Sequence, residues 1–208
     1  MSYIGKSPRT VHPKAGKVLL ARDLVSSSTA NVTWTHGTGD VVFDSTYIAY
    51  EIVSLNFEPV TDEKLLQIQW DTSGATSYAQ NHTSAGWRCL NRWDGGTQNV
   101  ENDISMNSHN STDGQNIIRS SEGSYAGYYG YSFFTLFNPS NTTYTKIFMN
   151  DLLTSDTGNN TYAQSYSING YSGGYVHTTS ALTTIRLSCN SGNIDQGEFH
   201  LYGIKDDF

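Results

Sequence analysis

Tyr125, Tyr128, Tyr129 and Tyr131 fall within seven residues, interleaved with Gly123, Gly127 and Gly130. Tyr171 and Tyr175 flank a second glycine-rich stretch at Gly173-Gly174. Tyrosine offers an apolar ring with a hydrogen-bonding tip at low entropic cost, which suits sugar stacking or a protein interface. The plainer explanation is a tyrosine-rich sheet surface. The ring chemistry alone does not choose between a glycan and another subunit. The remaining reactive side chains are scattered. His12, His36, His82, His109, His177 and His200 form no H-x-H or H-x-x-x-H pair, and neither cysteine lies beside one, so a zinc site is not expected. Asp156, Asn159 and Asn160 share a glycine-containing loop with oxygen ligands for calcium, but a solvated turn accounts for the same residues. Glycan hydrolysis needs two carboxylates facing one cleft. Glu51 and Glu58 lie seven residues apart across an irregular stretch, and Pro59 follows the second. No G-x-S-x-G elbow and no phosphate-cradling glycine loop occurs. A non-enzymatic protein without metal or cofactor is expected.

The elements that would carry these residues are strands. Leu66, Ile68 and Trp70 alternate with Gln67 and Gln69; Ile185, Leu187 and Cys189 alternate with Arg186, Ser188 and Asn190. Phe199 and Leu201 open a further alternating run after the turn residues Asn190-Ser191-Gly192-Asn193. Between Tyr47 and Phe57 the set Ile48, Tyr50, Ile52 gives way to Val53, Leu55, Phe57. That slip predicts a β-bulge or a central strand covered on both faces. Strands are also predicted at Val32–Trp34, Tyr131–Phe137, Tyr144–Asn150 and Tyr162–Ile168, with Asn169-Gly170 and Gly173-Gly174 as turns after the last. Residues 94–116 carry little apolar pattern and are expected to form a long excursion.

Composition agrees. The 208 residues hold 14 Tyr, 8 Phe, 4 Trp and 19 Gly, with only 15% charged residues and no sustained helical periodicity. The expectation is one all-β domain, a jelly-roll-like antiparallel sandwich over residues 30–208 with eight to ten strands. Cys89 and Cys189 are expected to be free, buried thiols rather than a disulfide. A net charge of −7 with 12 basic residues argues against nucleic acid as a partner. No run of 18 apolar residues exists to insert in a membrane, and the first residues lack a signal peptide's apolar core.

Residues 1–29 stand apart. Lys6, Arg9, Lys14, Lys17 and Arg22 are five of the twelve basic residues, and Pro8 and Pro13 favour extended chain. A frayed terminus and an attachment arm that orders on a partner both fit this pattern.

Three phrases carry a resemblance: Thr46 to Asp62, Leu66 to Ala75, and the closing run from Ile185 to Lys205. Together they resemble virion structural proteins of tailed bacteriophages, the decoration, fibre and appendage sandwiches of marine podoviruses and siphoviruses. The opening Met1-Ser2-Tyr3-Ile4-Gly5-Lys6-Ser7-Pro8 resembles the first residues of phage fibre proteins. The likeness covers about residues 30–75 and 180–205. It implies a non-enzymatic virion component, assembled in the host cytoplasm, that contacts capsid or tail proteins as a homo-oligomer, with a trimer favoured. A host-recognition module binding surface glycans is the alternative. The resemblance supplies no active-site residues.

Overall fold

Period-two alternation sends every second side chain to one face, so each strand can be placed by what it buries. The computed structural model describes residues 16–75, 77–119, 129–156 and 166–205. Among these lie thirteen strands and no helix. They are β1 (Lys17–Val25), β2 (Asn31–Thr35), β3 (Ala49–Pro59), β4 (Leu66–Asp71), β5 (His82–Arg92), β6 (Gln98–Asn102) and β7 (Ser108–Ser111). The others are β8 (Gln115–Ile118), β9 (Gly130–Phe137), β10 (Lys146–Asp156), β11 (Tyr166–Val176), β12 (Thr184–Cys189) and β13 (Ile194–Ile204).

The pairing is nested. β1 pairs β13, β2 pairs β12, β3 pairs β9 and β4 pairs β8, all antiparallel. Two further pairings, β13 with β3 and β12 with β4, close the four-strand sets β1-β13-β3-β9 and β2-β12-β4-β8. A long double ribbon folded over itself into two facing sheets is the jelly roll. The fold class therefore matches the sequence expectation, although the described residues hold thirteen strands rather than eight to ten. Extra strands widen only one side: β10, β11, β5 and β6 continue the first set, and β7 pairs β5, giving a nine-stranded sheet against a four-stranded one.

The alternating residues meet between the sheets. Tyr50, Ile52, Leu66, Ile68, Trp70, Ile185, Leu187, Cys189, Phe199 and Leu201 are all buried in one cluster, while Ile48 is half-buried. The phase slip in β3 is a bulge. Register shifts against β9 between Ser54 and Phe57, and Asn56 there has φ 52°. Val53 is 8% and Ser54 0% exposed, so consecutive residues of this central strand are covered on opposite faces.

Three local expectations need correction. Lys17 and Arg22 are not in an arm, because the sheet begins at Lys17 and β1 pairs with β13 along its length. Leu20 and Val25 are buried beneath it, so residues 17–25 belong to the sandwich. Lys6, Arg9 and Lys14 lie outside the described residues. Second, Asn169-Gly170 and Gly173-Gly174 are not turns, since all four sit inside β11 between β10 and β5. Gly174 is required by close approach: a β-carbon there would collide with the Thr83 carbonyl oxygen and the Phe148 ring. Third, the stretch 94–116 contains two short strands, β6 and β7, both added to the β5 edge. Their side chains are mostly exposed, so no apolar alternation announces them.

Both cysteines are free thiols, Cys189 buried on β12 and Cys89 half-buried on β5. Burial pushes the Cys189 thiol up to about 12 from 9.0. The folded protein thus keeps this proton where the unfolded chain releases it. The associated stability is intact below pH 9.0 and is lost as the pH rises from there toward 12. Denaturant titrations at pH 8 and pH 11 should show a loss of about 2–3 kcal/mol from this group. The Cys189→Ala variant should show a correspondingly flatter alkaline limb, and an identical limb would refute the assignment.

Candidate functional site

The outer face of the wide sheet, turned away from the core, carries the candidate site. Cross-strand register aligns Phe133, Asp151, Tyr171 and Trp87 in one row across β9, β10, β11 and β5. The next row toward one end holds Tyr131, Leu153, Asn169, Cys89 and Val100; two rows toward the other end, Ile147 stands beside Tyr175. Large apolar groups here meet solvent: Trp87 is 47%, Phe133 51%, Leu153 47% and Ile147 56% exposed. The rings are arranged, not scattered. Trp87 and Tyr171 lie 6.2 Å apart, and Tyr175 stacks on His177 at 4.7 Å with an interplanar angle of 11°. His177 Nε2 lies 2.9 Å from Thr83 Oγ1, which fixes its ring.

At one end this face deepens into a cleft of about 640 Å³ lined by Trp93, Tyr129, Tyr131, Leu153, Tyr166 and Arg92, among others. Tyr131 is held from behind, its hydroxyl donating to Asn56 Oδ1 at 2.8 Å across the β3 bulge. The opposite wall is the β5–β6 turn. There Arg92 donates twice to Asp94, Nε to Oδ1 at 2.5 Å and Nη2 to Oδ2 at 2.7 Å, a fork-to-fork pair. The Gly96 amide donates to the same Oδ1 at 2.8 Å. Gly95 turns the chain at φ 73°. Gly96 leaves room for the Arg92 guanidinium, which a β-carbon there would displace. The turn therefore lays a flat charged pair along the rim. The Arg92 hydrogen bond, then the Gly96 amide, hold the Asp94 carboxyl below its usual range; Asp94, then Tyr166, raise Arg92. Trp93, between the pair, is 82% exposed.

The tyrosines expected from sequence are distributed accordingly. Tyr129 and Tyr131 share the cleft, while Tyr171 and Tyr175 lie farther along the same face. Tyr125 and Tyr128 lie outside the described residues. Trp93 and the Arg92–Asp94 pair are not among the residues that the sequence singles out. The signal that would have found them is a tryptophan flanked by opposite charges and followed by two glycines.

The basic residues of β1 serve the fold. Lys17 pairs with Glu51, and Arg22 Nε donates to Glu198 Oε1 at 2.6 Å, with His200 Nε2 at the same oxygen. Arg22, then His200, hold the Glu198 carboxyl below its usual range. Glu58 instead accepts from Gln196 Nε2 at 2.6 Å, so Glu51 and Glu58 have separate partners. The loop residues Asn159 and Asn160 lie outside the described residues. Among the described residues no group of three or more His, Cys, Asp and Glu side chains could hold a metal ion. No protein-family model, curated protein or solved structure matches the chain.

Proposed function

We propose that this chain is a non-enzymatic structural subunit of a tailed-phage particle, held to capsid or tail proteins through the segment before β1. The observation that carries the reading is the division of labour in the fold. A jelly roll supplies one well-filled core, and the extra strands build an outer face whose large apolar groups are left uncovered among the described residues. Exposed apolar area on this scale marks a surface meant for contact. The resemblance of three of its phrases to phage virion proteins is the ground for taking a particle as the setting. A homo-oligomer, favoured as a trimer, belongs to the same reading. Light scattering tests it directly against three times the 23.0 kDa chain mass.

Attachment is separable from folding. Removing residues 1–15 spares β1 and should leave the melting temperature unchanged while the subunit disappears from purified particles, read by mass spectrometry. Removing residues 1–25 deletes β1, uncovers β13 and exposes core near Leu20 and Val25, so that shorter chain should lose about 3–6 kcal/mol. Full loading of the 1–15 deletion would end the attachment proposal.

A second reading, host-glycan recognition, is favoured by the cleft. Tyr129, Tyr131, Tyr166 and Trp93 supply ring faces, and Asn91, Gln98 and the Arg92–Asp94 pair supply planar polar edges. Sugars present the same two chemistries, C–H faces and paired hydroxyls. Trp93→Ala on a glycan array is the test, with loss of a saturable signal as the expected result.

A further inference from the structure

We propose that the ligand of this cleft is an extended, neutral oligosaccharide, and that its chain continues out of the cleft along β10 and β11 across the Tyr171–Trp87 pair to the Tyr175–His177 stack. The proposal rests on the glycan reading above and adds the size and charge of the ligand and the path it follows.

The path follows from register. Ser155 and Ser167 line the cleft, and on β10 the outward side chains from there are Leu153, Asp151, Met149 and Ile147. Eight residues of strand from Ser155 to Ile147 span about 26 Å. On the adjoining β11 the outward series is Asn169, Tyr171, Gly173 and Tyr175. Tyr171 and Tyr175 are thus about 13 Å apart, separated by a glycine. The Tyr171 ring lies over Gly173, where a β-carbon would touch its Oη and Cε1. On β5 the facing residue is Ala85. Small residues between ring-bearing rows leave a lane whose floor alternates apolar rings with polar groups.

The polar groups decide between a sugar and a protein. Asp151 sits exposed in the middle of the row, between Phe133 and Tyr171, and has no hydrogen-bond or ion-pair partner among the described residues. A dry interface with a second copy of this chain would bury that carboxylate unpaired, which is costly, and interface centres are depleted of such groups. A saccharide instead offers hydroxyl donors to Asp151 and Asn169, and C–H faces to Tyr171, Trp87 and Tyr175. Charge sets the rest of the specificity. Asp151 repels an anionic sugar along the lane. At the rim, Arg92 is already paired with Asp94, so no free cation is left in the turn to hold an acidic group.

Isothermal titration with neutral hexose oligomers of two, four and six units tests the proposal, with the acidic hexuronate oligomers as the charge control. Affinity should rise about tenfold or more from two units to six, and the acidic series should bind more weakly. Trp93→Ala should abolish binding of every length. Trp87→Ala and Tyr171→Ala should leave the two-unit ligand unaffected and remove the gain with length. The exposed Trp93 and Trp87 should not change the melting temperature when replaced, and they carry the test free of any loss at the half-buried Tyr171. If short ligands bind but length brings nothing, the extended path is wrong and the cleft reading stands. If no oligomer binds, both fail. If Trp87→Ala instead dissociates an oligomer in light scattering, the face is a subunit interface and the proposal is overturned.

Discussion

Replacing Trp70 with alanine should cost about 3–5 kcal/mol, the largest loss expected from any single side chain here. Trp70 is 1% exposed on β4 of the small sheet, and its ring reaches across to the wide one. It lies 5.5 Å from Phe148, 6.3 Å from Phe134 and 5.4 Å from His82. Those three residues belong to β10, β9 and β5. Trp70 therefore fastens the jelly roll to the strands that extend it. Its indole Nε1 is buried without a hydrogen-bond partner, so the ring acts through volume and contact alone. Trp70→Phe should accordingly lose far less, about 1 kcal/mol. Urea titrations followed by circular dichroism measure both. Equal losses for Phe and Ala would mean that the indole hydrogen bonds in solution and that its packing is secondary.

A second large loss is expected at Lys146, a fully buried lysine that forms no ion pair with a carboxylate among the described residues. Its ammonium donates to backbone carbonyls: to Asn141, to Tyr144 at 2.9 Å, to Thr179 at 3.2 Å and to Thr178 at 3.5 Å. Two of these belong to the connection from β9 to β10, and two to the connection from β11 to β12. The Leu182 amide donating to the Pro139 carbonyl at 2.9 Å joins the same two segments. An ammonium has three donors, so this cage uses the whole group. Burial pushes Lys146 below the ordinary lysine value. Lys146→Ala should cost about 3 kcal/mol, because the stranded carbonyls lose their donor without regaining bulk water. Lys146→Met restores the apolar stem but not the donors, and should recover little. Near-complete recovery with Met would assign the effect to packing. Amide exchange should also quicken first at Leu182.

What was legible in the chain follows from which surfaces each strand buries. β4, β12 and β13 have one face in the core and one outside, so Leu66/Ile68/Trp70, Ile185/Leu187/Cys189 and Phe199/Leu201 alternate cleanly. β6 sits at an edge with Gln98, Asn99, Val100 and Asn102 exposed, and a strand that buries nothing leaves no period to read. β11 was misread for a different reason. Glycine usually marks turns, yet in β11 the glycines make room for neighbours: Leu152 against Gly170, and the Thr83 carbonyl against Gly174. The aromatic content of the site was legible in Tyr129 and Tyr131. Its assembly was not, because Trp93 and Tyr166 are 73 residues apart in sequence and meet only through the pairing of β5 with β11.

The nested pairing also sets an order of events during synthesis. β13 lies between β1 and β3, and β12 between β2 and β4, so the small sheet cannot close before residue 189 has left the ribosome, nor the wide one before residue 204. At about 5–20 residues per second, β1 waits roughly 10–40 s for its partner. Throughout that interval β1 and β3 have open backbone edges, which readily pair with other nascent chains. Lys17 and Arg22 on β1 and Glu51 on β3 place charges along those edges before Glu198 and the rest of β13 arrive. The ion pairs of the finished sheet are thus, earlier in the molecule's life, unpaired charges that keep half-made copies apart.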